Sequence, residues 1–112
     1  MSDDYVPDRG DVVWILYTPP VGAERVGRRK AVVLSPAAYN RRVGLALFCP
    51  IVSRVKGYPF EVRVPDEACV GGVVLADQVK TLQWQSRATE YICRLPESTM
   101  NEVLQKLGLL LT

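Results

Sequence analysis

The stretch Gly10-Asp11-Val12-Val13-Trp14-Ile15-Leu16-Tyr17-Thr18-Pro19-Pro20 decides the fold class. Its centre is an unbroken β-branched and aromatic run, and Thr18, Pro19, Pro20 and Gly22 end it, so it reads as a strand over Asp11 to Tyr17 followed by a loop. Working outward, a second strand is expected from Ala31 to Leu34. The charged residues Glu24, Arg25, Arg28 and Arg29 then fall in a connection between two sheet elements. Leu45 to Val52 is almost wholly apolar and reads as a strand buried on both faces. A polar loop, Ser53 to Tyr58, precedes a strand from Phe60 to Val64. Further short strands are expected at Val73 to Leu75 and Tyr91 to Leu95.

The C-terminus has a different period. Met100, Val103, Leu104, Leu107 and Leu111 recur at steps of three and four, which predicts a helix with Pro96 in its first turn and a leucine stripe against the sheet. The expected architecture is mainly β, a small SH3-like barrel or bent antiparallel sheet closed by that helix. With 112 residues the chain is expected to form a single domain over 1–112.

Composition narrows the chemistry. Apolar residues are 48% and charged residues 23%, the balance of a globular protein, and no apolar run approaches the ~20 residues of a membrane span. Net charge is only +2, yet its distribution is uneven. The basic residues Arg25, Arg28, Arg29, Lys30, Arg41, Arg42, Arg54 and Lys56 form a segment without acids. Acids gather at Asp3, Asp4, Asp8 and Asp11 and at Glu97 and Glu102. That asymmetry suits a polyanionic partner on one face and equally suits a solvated surface. Cys49, Cys69 and Cys93 are widely spaced, which predicts three reduced, packing thiols of a cytoplasmic protein.

The chain has no histidine, so the commonest general acid and base of ribonucleases is missing and no metal or other cofactor is expected. Hydrolysis would have to run on Arg, Lys, carboxylates and hydroxyls. RNA permits that, because its 2′-hydroxyl is a built-in nucleophile beside the scissile phosphate. Arg can hold two phosphate oxygens at once and a carboxylate can take a proton. The loop Gly22-Ala23-Glu24-Arg25-Val26-Gly27-Arg28-Arg29 offers both groups. Taken alone, a glycine-flanked charged loop is more often a plain connection, Asp77 could cap a turn, Ser53 could begin a loop, and Trp14 and Trp84 could be core.

The order of motifs carries more. Tyr5-Val6-Pro7-Asp8-x-Gly10-Asp11, Gly22-x-Glu24-x-x-Gly27-x-Arg29, Ala31-Val32-Val33-Leu34-Ser35-Pro36 with Tyr39-Asn40, Lys56-Gly57-Tyr58-Pro59-Phe60-Glu61-Val62, and Ala76-Asp77-Gln78-Val79-Lys80 together resemble the MazF toxins. Pro96 to Leu104 resembles the related PemK/Kid branch. The resemblance spans nearly the whole chain and implies the CcdB/MazF barrel-like fold, a homodimer, and a toxin of a type II toxin–antitoxin system. Its implied activity is metal-independent cleavage of single-stranded RNA (mRNA) to 2′,3′-cyclic phosphate and 5′-hydroxyl ends, and its implied inhibitor is an acidic antitoxin of the MazE/PemI kind.

By position, the resemblance makes Arg29, Glu24 and Asp77 catalytic, and it places Arg28, Lys56, Gln78, Lys80 and Tyr58 against RNA. Two departures stand out. Arg29 is followed by Lys30 where the family usually has proline. Val52 stands where the family usually has a threonine, and valine cannot donate to phosphate, so Ser53 becomes the candidate replacement hydroxyl. Two other readings remain open: a toxin-fold paralogue that binds an antitoxin without cutting, and a gyrase-binding toxin of the CcdB kind.

Overall fold

The computed structural model describes residues 5–17, 27–65 and 70–112. Strand β1 (Asp11–Tyr17) pairs antiparallel with β2 (Gly27–Val33) in the register Val12↔Val32 to Tyr17↔Gly27. β2 pairs with β3 (Leu45–Val52) through Ala31↔Pro50, Val32↔Cys49 and Val33↔Phe48. β3 also carries β5 (Val73–Leu75) at its end and β6 (Lys80–Gln83) at its start. β4 (Glu61–Arg63) joins β5, and β7 (Glu90–Arg94) joins β1. The resulting order is β4-β5-β3-β2-β1-β7, all antiparallel, and among the described residues no pair closes the sheet into a full barrel.

Period-two alternation places a core on each face. Val12, Val32, Cys49, Ile51, Val62 and Val74 pack with Met100 and Val103 of the C-terminal helix α2 (Glu97–Gly108). Val13, Ile15, Ala31, Val33, Ala46 and Phe48 pack with Trp84 on the other side. The almost wholly apolar β3 is thus covered on both faces, as its composition predicts. The helix begins one residue after Pro96, and its stripe is narrower than the heptad pattern suggests, because the helix ends at Gly108 and Leu111 is 75% exposed.

Three differences from the sequence reading matter for function. β2 starts at Gly27, so Arg28, Arg29 and Lys30 are strand residues, not loop residues. A short helix α1 (Ala37–Val43) follows Pro36, its first free N–H, on Ala37, donating to Asp8 Oδ1 at 2.9 Å. Cys93 is disulfide-bonded, which corrects the expectation of three reduced thiols, whereas Cys49 is a buried free thiol pushed up to about 12 by burial and then by the charge of Asp77. Cys69 lies outside the described residues.

Around α1 the polar groups form a closed knot. Buried Asn40 donates through Nδ2 to the carbonyls of Pro7 (2.7 Å) and Ser35 (3.0 Å), and its Oδ1 accepts from Ser35 Oγ at 2.6 Å. Ser35 Oγ accepts from Leu47 N, and Trp84 Nε1 donates to the Asn40 carbonyl at 3.0 Å.

Candidate active site

The end of β3, the loop after it, β4 and the turn after β5 enclose a groove of about 590 Å³. Val52, Arg54, Lys56, Gly57, Tyr58, Glu61, Leu75 and Gln78 line it. Its floor is set by backbone contact: a Cβ on Gly72, which has φ +82°, would sit 2.4 Å from the Val52 carbonyl oxygen, so only glycine lets the two segments approach this closely. Its wall is the exposed loop 53–60, which turns at Gly57 (φ +79°).

That loop is held from one side by a carboxylate. Glu61 Oε1 accepts from Gly57 N at 3.0 Å, and Glu61 Oε2 accepts from Lys56 N at 3.1 Å. Lys106 of α2 adds a second tie, its Nζ donating to the carbonyls of Pro59 (2.9 Å) and Glu61 (3.0 Å). Arg54 and Lys56 stand against the single carboxylate of Glu61 in the lining, and no ion pair among the described residues engages either cation, so the groove presents net positive charge.

The groove also carries an aromatic wall. Tyr58 is 45% exposed, and the Phe60 ring backs it at 6.1 Å between centroids. Its hydroxyl donates to Asp77 Oδ2 at 2.5 Å. This bond, then desolvation and the Asp77 charge, hold the phenol above the ordinary tyrosine value, so Tyr58 stays protonated at neutral pH. Asp77 itself is not part of the lining, and its Oδ1 is buried without a hydrogen-bond partner among the described residues.

Of the residues singled out in the sequence, Lys56, Tyr58 and Gln78 come together in this groove with Asp77 behind them. Ser53 is exposed beside Val52 but outside the lining. Arg29 is exposed on β2 opposite Ile15. It stands two residues beyond the last β2–β3 pair, Ala31↔Pro50, on the same strand face as Ala31. Arg28 points to the other face, where it pairs with Glu90 and lies 5.5 Å from the Trp14 ring centre, with Lys30 at 5.9 Å. Lys80 is exposed on β6, opposite Phe48. Glu24 and the remainder of 18–26 lie outside the described residues.

Sequence reasoning missed two groove residues. Arg54 sat in the basic run without a distinguishing neighbour, and Glu61 looked like one polar position of an alternating strand. A charge paired with backbone N–H groups four and five residues earlier leaves no sequence signature beyond the turn between them.

The arrangement can hold a single-stranded polyanion. Cations meet phosphates, an aromatic face can stack a base, and Gln78 offers both donor and acceptor. Among the described residues no group of three or more His, Cys, Asp or Glu could hold a metal ion. No described helix is long and apolar enough to cross a membrane.

Comparison with known proteins places the chain beside MazF toxins. MazF of Deinococcus radiodurans has a solved structure that superposes with a TM-score of 0.87 at 54% identity, covering 96% of this chain and 98% of that one. In a MazE–MazF complex from the same organism the match is 51% identical with a TM-score of 0.86, over 96% and 97% of the two chains. The endoribonuclease toxin MazF of Escherichia coli K12 is 47% identical over 87 residues, 78% of each chain. Residues 8–111 match the family described as PemK-like, MazF-like toxin of type II toxin–antitoxin systems, and the chain belongs to that family.

Proposed function

We propose that this protein is an endoribonuclease toxin that cuts single-stranded RNA, mRNA included, without a metal ion, leaving 2′,3′-cyclic phosphate and 5′-hydroxyl ends. The observation that carries the reading is the cation-lined groove of Arg54, Lys56, Tyr58 and Gln78 beside the end of β3, in a chain whose relatives are named endoribonucleases. In this reading the substrate's 2′-hydroxyl attacks the adjacent phosphate. Arg29, two residues beyond the Ala31↔Pro50 pair on β2, stabilises the phosphorane through its fork and protonates the leaving 5′-oxygen. Glu24 and Asp77 are the two carboxylates available as base, and Ser53 supplies the hydroxyl that Val52 lacks.

The protein is proposed to work as one domain and as a homodimer in the cytoplasm. An acidic antitoxin of the MazE kind would be its inhibitor, since related structures are MazE–MazF complexes and the groove is positive. The test is cleavage of a long single-stranded RNA in excess EDTA, with Arg29→Ala alongside. The parent should cut and leave a cyclic phosphate. The variant should fold and bind RNA but cut ~100- to 1000-fold more slowly, the usual cost of one transition-state donor.

A second reading rests on Val52. If neither protein cuts any RNA while the parent binds an acidic antitoxin, the chain is a paralogue that occupies antitoxin without catalysis.

A further inference from the structure

The groove has one polar contact whose direction is settled by chemistry. Tyr58 has a single proton to donate, and Asp77 Oδ2 receives it at 2.5 Å. A carboxylate is an acceptor only, so the proton in this bond is the phenol's. What remains on the Tyr58 oxygen is lone pair, and Tyr58 is exposed in the groove while Asp77 is not part of its lining.

Neighbouring contacts favour this geometry. Phe60 lies against the Tyr58 ring, and the Glu61 N–H donates to the Tyr58 carbonyl at 3.0 Å. The turn that presents Asp77 is fixed to the same loop, with Ala76 N donating to the Phe60 carbonyl at 3.0 Å and Gln78 N to the Leu75 carbonyl at 3.1 Å. The second Asp77 oxygen is buried, so the carboxylate's route to the groove runs through the phenol.

We infer that Tyr58 is a specificity-determining residue that reads the exocyclic amine at C6 of a purine or C4 of a pyrimidine, in a base whose edge meets its hydroxyl. The Tyr58 oxygen is held as an obligatory acceptor by Asp77, which makes Asp77 a positioning residue and leaves Glu24, of the two candidate carboxylates, as the base. The preferred ligand class is single-stranded RNA carrying adenine or cytosine at that subsite, because their N6 and N4 amines donate where the O6 of guanine or the O4 of uracil would face lone pair against lone pair. The inference rests on the RNA reading above and deepens it.

The test separates recognition from cutting. Short oligomers of adenosine and of cytidine, and their counterparts without the amine (purine riboside and 2-pyrimidinone riboside), are made with 2′-O-methyl sugars, so that no nucleophile is present. Affinities are read by fluorescence anisotropy. The full-length parent should bind at least one amine-bearing oligomer about threefold to tenfold more tightly than its counterpart, the value of one neutral hydrogen bond.

Tyr58→Phe should bring that ratio to one. Asp77→Asn, whose amide can donate to the phenol oxygen and free the phenol proton, should lower or invert it. A general loss of structure would weaken both oligomers together and leave the ratio unchanged. A parent ratio of one for both bases, a ratio kept by Tyr58→Phe, or no binding at all overturns the inference. It is equally overturned if Asp77→Asn keeps the parent ratio yet cuts ordinary RNA at saturation ~1000-fold more slowly, because Asp77 would then be the base. Parent ratios as expected with no cutting of 2′-hydroxyl RNA would sink the nuclease reading alone.

Discussion

The knot around Asn40 and the groove around Tyr58 are built from similar polar groups, yet they treat those groups oppositely. At Asn40 both amide atoms and the backbone carbonyl have partners inside 3.0 Å, and the residue is fully buried. In the groove the cations have no ion-pair partner among the described residues, Gln78 is exposed, and the wall is an exposed loop. The first arrangement spends its hydrogen bonds on fold uniqueness, while the second leaves its groups ready for a ligand. The comparison implies that stability and activity can be perturbed separately.

The strongest way to break it is Asn40→Ala, which strands the carbonyl of Pro7 and the hydroxyl of Ser35 in the interior. The expected loss is about 3 kcal/mol in urea unfolding, with RNA affinity per folded molecule unchanged. A parallel fall in affinity would mean that knot and groove are one unit.

Val52→Thr sharpens the groove side. A hydroxyl at the groove floor next to a phosphate should raise the cleavage rate about tenfold, a gain read in single-turnover assays. No gain would indicate that Ser53 already supplies that donor.

Lys106→Met probes the tie between α2 and the groove wall. Losing two bonds to partly exposed carbonyls should cost about 1 kcal/mol and raise KM more than it lowers kcat.

The smallest effect below pH 10 belongs to Cys49. Its folded-state thiol is pushed up from 9.0 to about 12, so its contribution to stability is whole below pH 9 and is lost as pH rises toward 12. Cys49→Ala should flatten the alkaline arm of a stability profile. Part of the slope should survive, because Tyr5, desolvated and bonded to Asp11, is raised in the same direction.

How much was legible in the sequence follows the same division. β1, β3 and β5 carry apolar runs buried by neighbours, and their limits agree with the reading. β2 was read four residues short because Gly27 to Lys30 pair with β1 alone and leave charged side chains in solvent. β6 was missed for a related reason: only Leu82 of its residues packs inward. α1 has no apolar stripe, and its buried member is Asn40, whose partners come from Pro7 and Ser35. No local pattern announces a helix stabilised by tertiary hydrogen bonds.

For the groove, the motif around Lys56-Gly57-Tyr58 and that around Asp77-Gln78 located residues that do meet. What spacing could not tell is which of them faces the ligand. Arg28 was grouped with the RNA contacts, and strand alternation turns it toward Glu90 and Trp14 instead.

The contact between Gly72 and the Val52 carbonyl also bears on how such a groove can change by descent. Position 52 is open to drift among side chains of similar bulk, since its side chain looks into the cavity. Position 72 has no such latitude, because any replacement drives a methylene or methyl into a backbone oxygen 2.4 Å away. The side chain at the floor can therefore be exchanged while the glycine behind it keeps the floor in place.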